Sequence, residues 1–175
     1  MKNIIKCLLM IALLAGCMAY SQSKPVKDQL LDHMTGKWVL KGTIGGQETT
    51  HDISAEWVLG QQYIELKEVS REKDPSGKPL YEAIVYITWI EASKQYSCLW
   101  LDNSGNTGLS GQAVGIAKPD GDNIRFVFRI SDNDTFHTTF SYDKSSDTWK
   151  WFMDNQANAK MEPFARVLLS RVTEK

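Results

Sequence analysis

Three histidines, a handful of strand carboxylates and Cys98, one of three cysteines, are the side chains of this 175-residue chain that could carry chemistry in a folded domain. A zinc site needs three or four ligands at local spacing or on converging strands. His33, His51 and His137 form no His-x-His or His-x-x-x-His pair. His33 falls on a short helical stretch and reads as solvent-facing. His51 stands at a strand start. His137 is mid-strand, in phase with Thr139, and the sequence leaves its face open. Asp52, Glu56, Glu65, Glu68 and Glu82 lie in strand-like runs. An acid–base pair needs two carboxyls at a set separation in a cleft, and the simpler expectation is charge on the wet face of a sheet. Cys98 sits in an apolar run with no neighbouring histidine, the setting of an inert buried thiol. Asp102-Asn103-Ser104-Gly105-Asn106 departs from the EF-hand spacing and reads as a hairpin turn. No nucleophile elbow, phosphate loop, dinucleotide fingerprint or Cys-x-x-Cys occurs. No catalytic residue, metal or cofactor is expected from these patterns.

The other resource is aromatic and aliphatic. Six Trp, six Tyr and six Phe suit a β-rich core or an apolar cavity. Trp57, Tyr63, Tyr86, Trp89, Trp100, Phe126, Phe128, Phe140 and Trp151 are the candidates for lining such a cavity. The same residues could equally fill the interior solid, as in many small barrels. Arg125 and Arg129 could hold a ligand carboxylate only if they faced inward, and their alternation with apolar neighbours points them outward.

The elements that must position these groups begin after an export signal. Lys2 and Lys6 precede the uninterrupted apolar run Cys7 to Ala15, which is too short to span a bilayer as a mature helix. Leu14-Ala15-Gly16-Cys17 fits a lipobox, which would lipidate Cys17. Ala19-Tyr20-Ser21 fits ordinary cleavage before Gln22. The expected organisation is a signal peptide over 1–21, a linker over 22–29 and one domain over 30–175. The expected location is the periplasm, or the outer membrane through a lipid anchor. The net charge of −1 becomes about −3 once Lys2 and Lys6 leave with the signal. That balance excludes the electrostatic footprint of a nucleic-acid binder.

Val26, Leu30, Leu31 and Met34 predict a short amphipathic helix ending at Gly36. Beyond it, turn clusters such as Gly45-Gly46, Asp74-Pro75-Ser76-Gly77 and Lys118-Pro119-Asp120-Gly121 recur about every 8–12 residues, the rhythm of an antiparallel sandwich or barrel. Strand runs alternate with period two, as in Ile124, Phe126, Phe128 and Ile130 against Arg125, Val127 and Arg129. Ile53, Ala55, Trp57 and Leu59 do the same. Tyr81 to Ile90 is apolar on both faces, which predicts either a covered outer face or a strand that faces a tightly packed region. The fold class is all-β: one antiparallel up-and-down barrel of about 8–10 strands with a short N-terminal helix. Such a meander removes its edges by closing on itself.

Gly36-Lys37-Trp38, after the helix and opening the first strand, resembles the Gly-x-Trp signature of the lipocalin and calycin superfamily. The resemblance implies that Trp38 closes the barrel floor with an arginine of the last strand across its ring, Arg171 first and Arg166 second. Tyr96, Trp100, Asp102 and Gly105 look like the Tyr-x-x-x-Trp-x-Asp-x-x-Gly hairpin of secreted bacterial lipocalin-like proteins. Members of the superfamily bind lipids, pigments, haem or nothing known, so the resemblance implies a fold and names no ligand. The barrel and its apolar lining candidates give the expectation of a small hydrophobic or amphipathic partner, with membrane contact only through a lipid anchor. Two alternatives stand beside it: a haem-dependent enzyme with His137 as axial ligand, and a filled barrel acting as an interaction module through the loops Asp74 to Pro79 or Asn155 to Pro163.

Overall fold

The computed structural model describes residues 24–26, 28–105 and 108–173. The signal segment, Cys17 included, lies outside the described residues. Helix α1 (Gln29–Met34) comes first. Eleven strands follow among the described residues: β1 (Gly36–Ile44), β2 (Gln47–Val58), β3 (Tyr63–Ser70), β4 (Glu82–Ile90), β5 (Gln95–Asp102), β6 (Val114–Ala117), β7 (Pro119–Asp120), β8 (Asn123–Arg129), β9 (Asp134–Asp143), β10 (Thr148–Ala157) and β11 (Lys160–Arg171). A 3-10 turn, Gly111–Ala113, precedes β6.

Ten of these strands form a closed antiparallel ring, each paired with its neighbour in sequence. The two-residue β7 pairs only with β8. First and last strands meet through β1 and β11, with Trp38 opposite Arg171. The seam between β6 and β8 rests on two pairs, Gly115 with Phe128 and Ile116 with Val127. The ring leaves one face of every strand dry, which is why alternation is so regular. In β8, Ile124, Phe126 and Phe128 are buried while Arg125, Val127 and Arg129 face out. Two expectations change. Leu59 is 73% exposed, because β2 has ended and Leu59 starts the turn at a positive φ of 50°. β4 has no cover on its outer face, where Ile84 is 39% exposed.

Helix α1 plugs one end of the ring. Asp28 caps it, Oδ1 accepting from the Leu31 amide at 2.9 Å. Its other oxygen accepts from the Tyr96 hydroxyl at 2.7 Å, which ties the plug to β5. Leu31 and Met34 are buried among Trp38 and Trp149. Trp38 Nε1 donates to the Met34 carbonyl at 2.9 Å. The Arg171 guanidinium lies over the Trp38 ring, its carbon 3.9 Å from the ring centroid. It also donates to the Thr35 carbonyl at 2.7 Å, the His33 carbonyl at 3.1 Å and Asp147 Oδ2 at 2.5 Å. Gly36 is required here twice over: its φ is +119°, and a Cβ would sit 2.5 Å from Arg171 Nη1. Arg166, the second candidate, faces outward, donating to the Met153 carbonyl at 2.8 Å and pairing with Asp154. His33 is half-buried rather than solvent-facing, stacked on Tyr142 with centroids 4.4 Å apart.

The middle of the ring is solid. Phe126, Phe140 and Trp151 are fully buried. Phe140 stacks on Trp151 at 4.5 Å, and Trp100 tilts against Trp151 at 5.4 Å. Trp151 Nε1 donates to Thr138 Oγ1 at 2.5 Å, so the buried indole is satisfied within the core.

Candidate functional site

Above that aromatic layer, at the end opposite α1, the ring is hollow. The cavity there holds about 450 Å³. Ile44, Leu80, Phe128, Phe136, Met153 and Phe164 make apolar walls, and Trp100 lies at the base. Thr49, His51, Ser70, Glu72, Tyr81 and Asp102 make one polar wall.

The polar wall is built from neighbouring inner-face positions. His51 on β2 and Glu68 on β3 are diagonal neighbours across the ladder. His51 Nδ1 lies 2.5 Å from Glu68 Oε1, and the residues are 4% and 1% exposed. His51 Nε2 lies 2.8 Å from Thr49 Oγ1, which lies 2.8 Å from Glu72 Oε2. The Thr50 amide donates to Glu72 Oε1 at 3.0 Å. Glu68, His51, Thr49 and Glu72 thus form a chain of three hydrogen bonds, and each bond needs a proton. Thr49 supplies one and a neutral imidazole a second. The third is an extra proton held among the titrating groups. Burial pushes the Glu72 carboxyl up, but hydrogen bonds from Thr49 and the backbone outweigh it and hold Glu72 below the usual carboxylate range. Burial drives Glu68 the other way, upward, against the opposing pull of His51. The extra proton therefore belongs to the His51–Glu68 pair, which is net neutral. Glu68 Oε2 is left buried with no hydrogen-bond donor among the described residues.

Tyr81 covers the pair, its ring stacked on His51 with centroids 5.7 Å apart. Its hydroxyl accepts from Trp100 Nε1 at 3.1 Å. Burial first, then the charges of Glu68 and Asp102, suppress its ionisation. Asp102 Oδ1 accepts from the Ser104 amide at 2.8 Å and the Gly105 amide at 2.7 Å, shaping the cavity lip. The Tyr96, Trp100, Asp102 and Gly105 motif therefore runs the length of the barrel. Tyr96 holds the plug, Trp100 lies at the cavity base, and Asp102 with Gly105 forms the lip.

The nine aromatic candidates divide by height and face. Trp100 and Phe128 line the cavity. Phe126, Phe140 and Trp151 form the packed layer beneath. Trp57 and Trp89 face inward at the plugged end, with Trp57 Nε1 donating to Asp32 at 2.8 Å and Trp89 edge-on to Tyr96 at 5.0 Å. Tyr63 and Tyr86 are corrections. Ile64, Val85 and Ile87 take the inner positions, so Tyr63 is 37% exposed and the Tyr86 hydroxyl donates to Glu65 on the outside at 2.7 Å. His137 is also on the outer face, opposite Val127, with Nε2 2.9 Å from both Thr135 Oγ1 and Gln156 Oε1. It does not point at the cavity, because Phe136 and Thr138 occupy the inner phase on either side. Glu68, expected among outer-face charges, is the most deeply buried carboxylate described. Its spacing from Ile64 and Leu66 was the signal for that.

The chain matches no protein-family model and no curated protein. Among solved structures it is similar to the crystal structure of Rv2717c from M. tuberculosis, with a TM-score of 0.55 and 13% identity over 83% of this chain and 96% of that one. That likeness is one of fold alone.

Proposed function

We propose that this is an exported barrel protein that takes a small apolar or amphipathic molecule into the cavity opposite α1. One observation carries the reading: the same barrel is packed solid at one end and hollow at the other. A barrel needing only a core would fill both. The cavity volume falls in the range of small-molecule sites, and apolar walls with a few convergent polar groups are the usual composition of such sites. Export rests on the N-terminal segment, with Cys17 as the lipidation candidate.

The test is titration with Nile red, a neutral apolar dye. Saturable one-to-one fluorescence enhancement is expected. Ile44→Trp, which fills the mouth, should weaken it by about tenfold, an amount equal to roughly 1.4 kcal/mol. Tyr63→Trp on the outer face should leave it unchanged. Equal binding in all three proteins would place the dye on the outer surface and end the cavity reading. The denatured mass of the protein from its own host reads the N-terminus directly: acylated Cys17, or a plain chain from near Gln22.

A further inference from the structure

We infer that the cavity selects a ligand whose polar end is a cation or a hydrogen-bond donor, such as an alkylammonium, over one ending in carboxylate or phosphate. This rests on the reading of the cavity as a binding site. The first argument is charge. Glu48, Glu72 and Asp102 line the cavity, and no Lys or Arg does among the described residues. The single basic side chain of the lining, His51, has both ring nitrogens engaged inside the protein, by Glu68 and Thr49.

The second argument is an accounting of donors and acceptors. The polar hydrogens of the lining are mostly committed inside the protein. Thr49 Oγ1 donates to Glu72 at 2.8 Å, Ser70 Oγ to the Glu72 carbonyl at 3.0 Å, Ser104 Oγ to Asp102 at 2.8 Å, and Trp100 Nε1 to Tyr81 at 3.1 Å. Gln112 Nε2 donates to the Ile130 carbonyl at 2.8 Å. Acceptor capacity is in surplus. A carboxylate offers about four acceptor positions, and these are only partly used. Behind the wall, Glu68 adds a further carboxyl that the ligand does not touch, its Oε2 buried with no donor among the described residues. An entering anion would meet carboxylates at low dielectric and find few hydrogens to accept, whereas an entering ammonium carries the hydrogens this wall lacks.

Calorimetric titration at pH 7 with three ten-carbon probes below their micellar concentrations separates the outcomes: decylammonium chloride, decanol and sodium decanoate. Decylammonium should bind at least about tenfold more tightly than decanoate, with decanol between. Glu72→Gln combined with Asp102→Asn should shrink that ratio toward one. Gln47→Lys, at an exposed lining position, should move it toward decanoate without touching the core. Decanoate binding as tightly as decylammonium, with decanol also bound, would overturn the head-group selection and leave the cavity reading standing. Failure of all three probes to bind would overturn both.

Discussion

Burying the Glu68 carboxylate without a proton nearby would cost several kcal/mol, and His51 makes it tolerable by sharing one. Removing only one member of the pair should therefore cost more than removing both. His51→Leu is expected to lose about 3–5 kcal/mol in urea unfolding, and His51→Leu with Glu68→Leu to recover most of it. Strictly additive losses would show that the pair is not coupled. The pH dependence follows. Alone in the His51→Leu protein, Glu68 must hold its own proton, with a folded pKa raised above its ordinary 4.5 by burial. Its contribution is complete below 4.5 and is lost as pH rises toward the raised value. Over that window the folded state binds the extra proton, so unfolding free energy should fall by about 1.4 kcal/mol per pH unit. A stability flat in pH from 4.5 to 7 would contradict this. Glu68 was expected on the wet face, although its phase with Ile64 and Leu66 marks it as an inner residue. That it meets His51 was not legible, because inter-strand register depends on turn geometry across the intervening Gly60-Gln61 bend.

The plug is an element held by few side chains, and Arg171 is its centre. Lysine in its place keeps a charge but loses the planar stack on Trp38 and the fork that reaches two carbonyls and Asp147. Arg171→Lys should cost about 1–3 kcal/mol, with the amides of Leu31 to Met34 exchanging faster than those of β1 and β2. The Arg171 hydrogen bond holds Asp147 below its ordinary 3.8. That contribution is present above 3.8 and fades as pH falls through the depressed value; Asp147 is partly exposed, so the effect is small. Gly36→Ala meets both a positive φ and the guanidinium, and should cost about 1–3 kcal/mol. In the Arg171→Ala background the clash is gone, so the penalty should shrink to the backbone part. A full penalty in both backgrounds would assign it to φ alone. Strands and plug were largely readable. Turn residues recur at the right spacing, and Gly36, Trp38 and Arg171 stand at the two ends that a closed ring must bring together.

Across the whole molecule, the division into solid and hollow halves is what sequence could not reveal. Alternation tells which face a side chain takes. It does not tell at what height along the barrel axis the residue sits, which depends on tilt and shear. Phe126 and Phe128 are two residues apart on one strand and share a face, yet one is packed in the core and the other lines the cavity. Cys98 reports on the integrity of this interior. It is fully buried, and burial pushes its thiol far above the ordinary value. Disulfide-exchange reagents should modify it only at the rate of global opening, so stabilising the barrel should slow labelling in proportion. Labelling that is fast and insensitive to stability would mean a local route into the core. The ring itself has one thin join. Seven residue pairs hold β1 to β11, but only two hold β6 to β8. If that join parts, the closed ring becomes a curled sheet with two long edges, flanked outside by Ile116 and Val127, which are 39% and 37% exposed. Unpaired edges recruit one another. Misassembly of this protein should therefore begin at one seam rather than across its surface, and a single lysine at Ile116 should act as its gatekeeper, lowering aggregation on storage with little change in the unfolding midpoint.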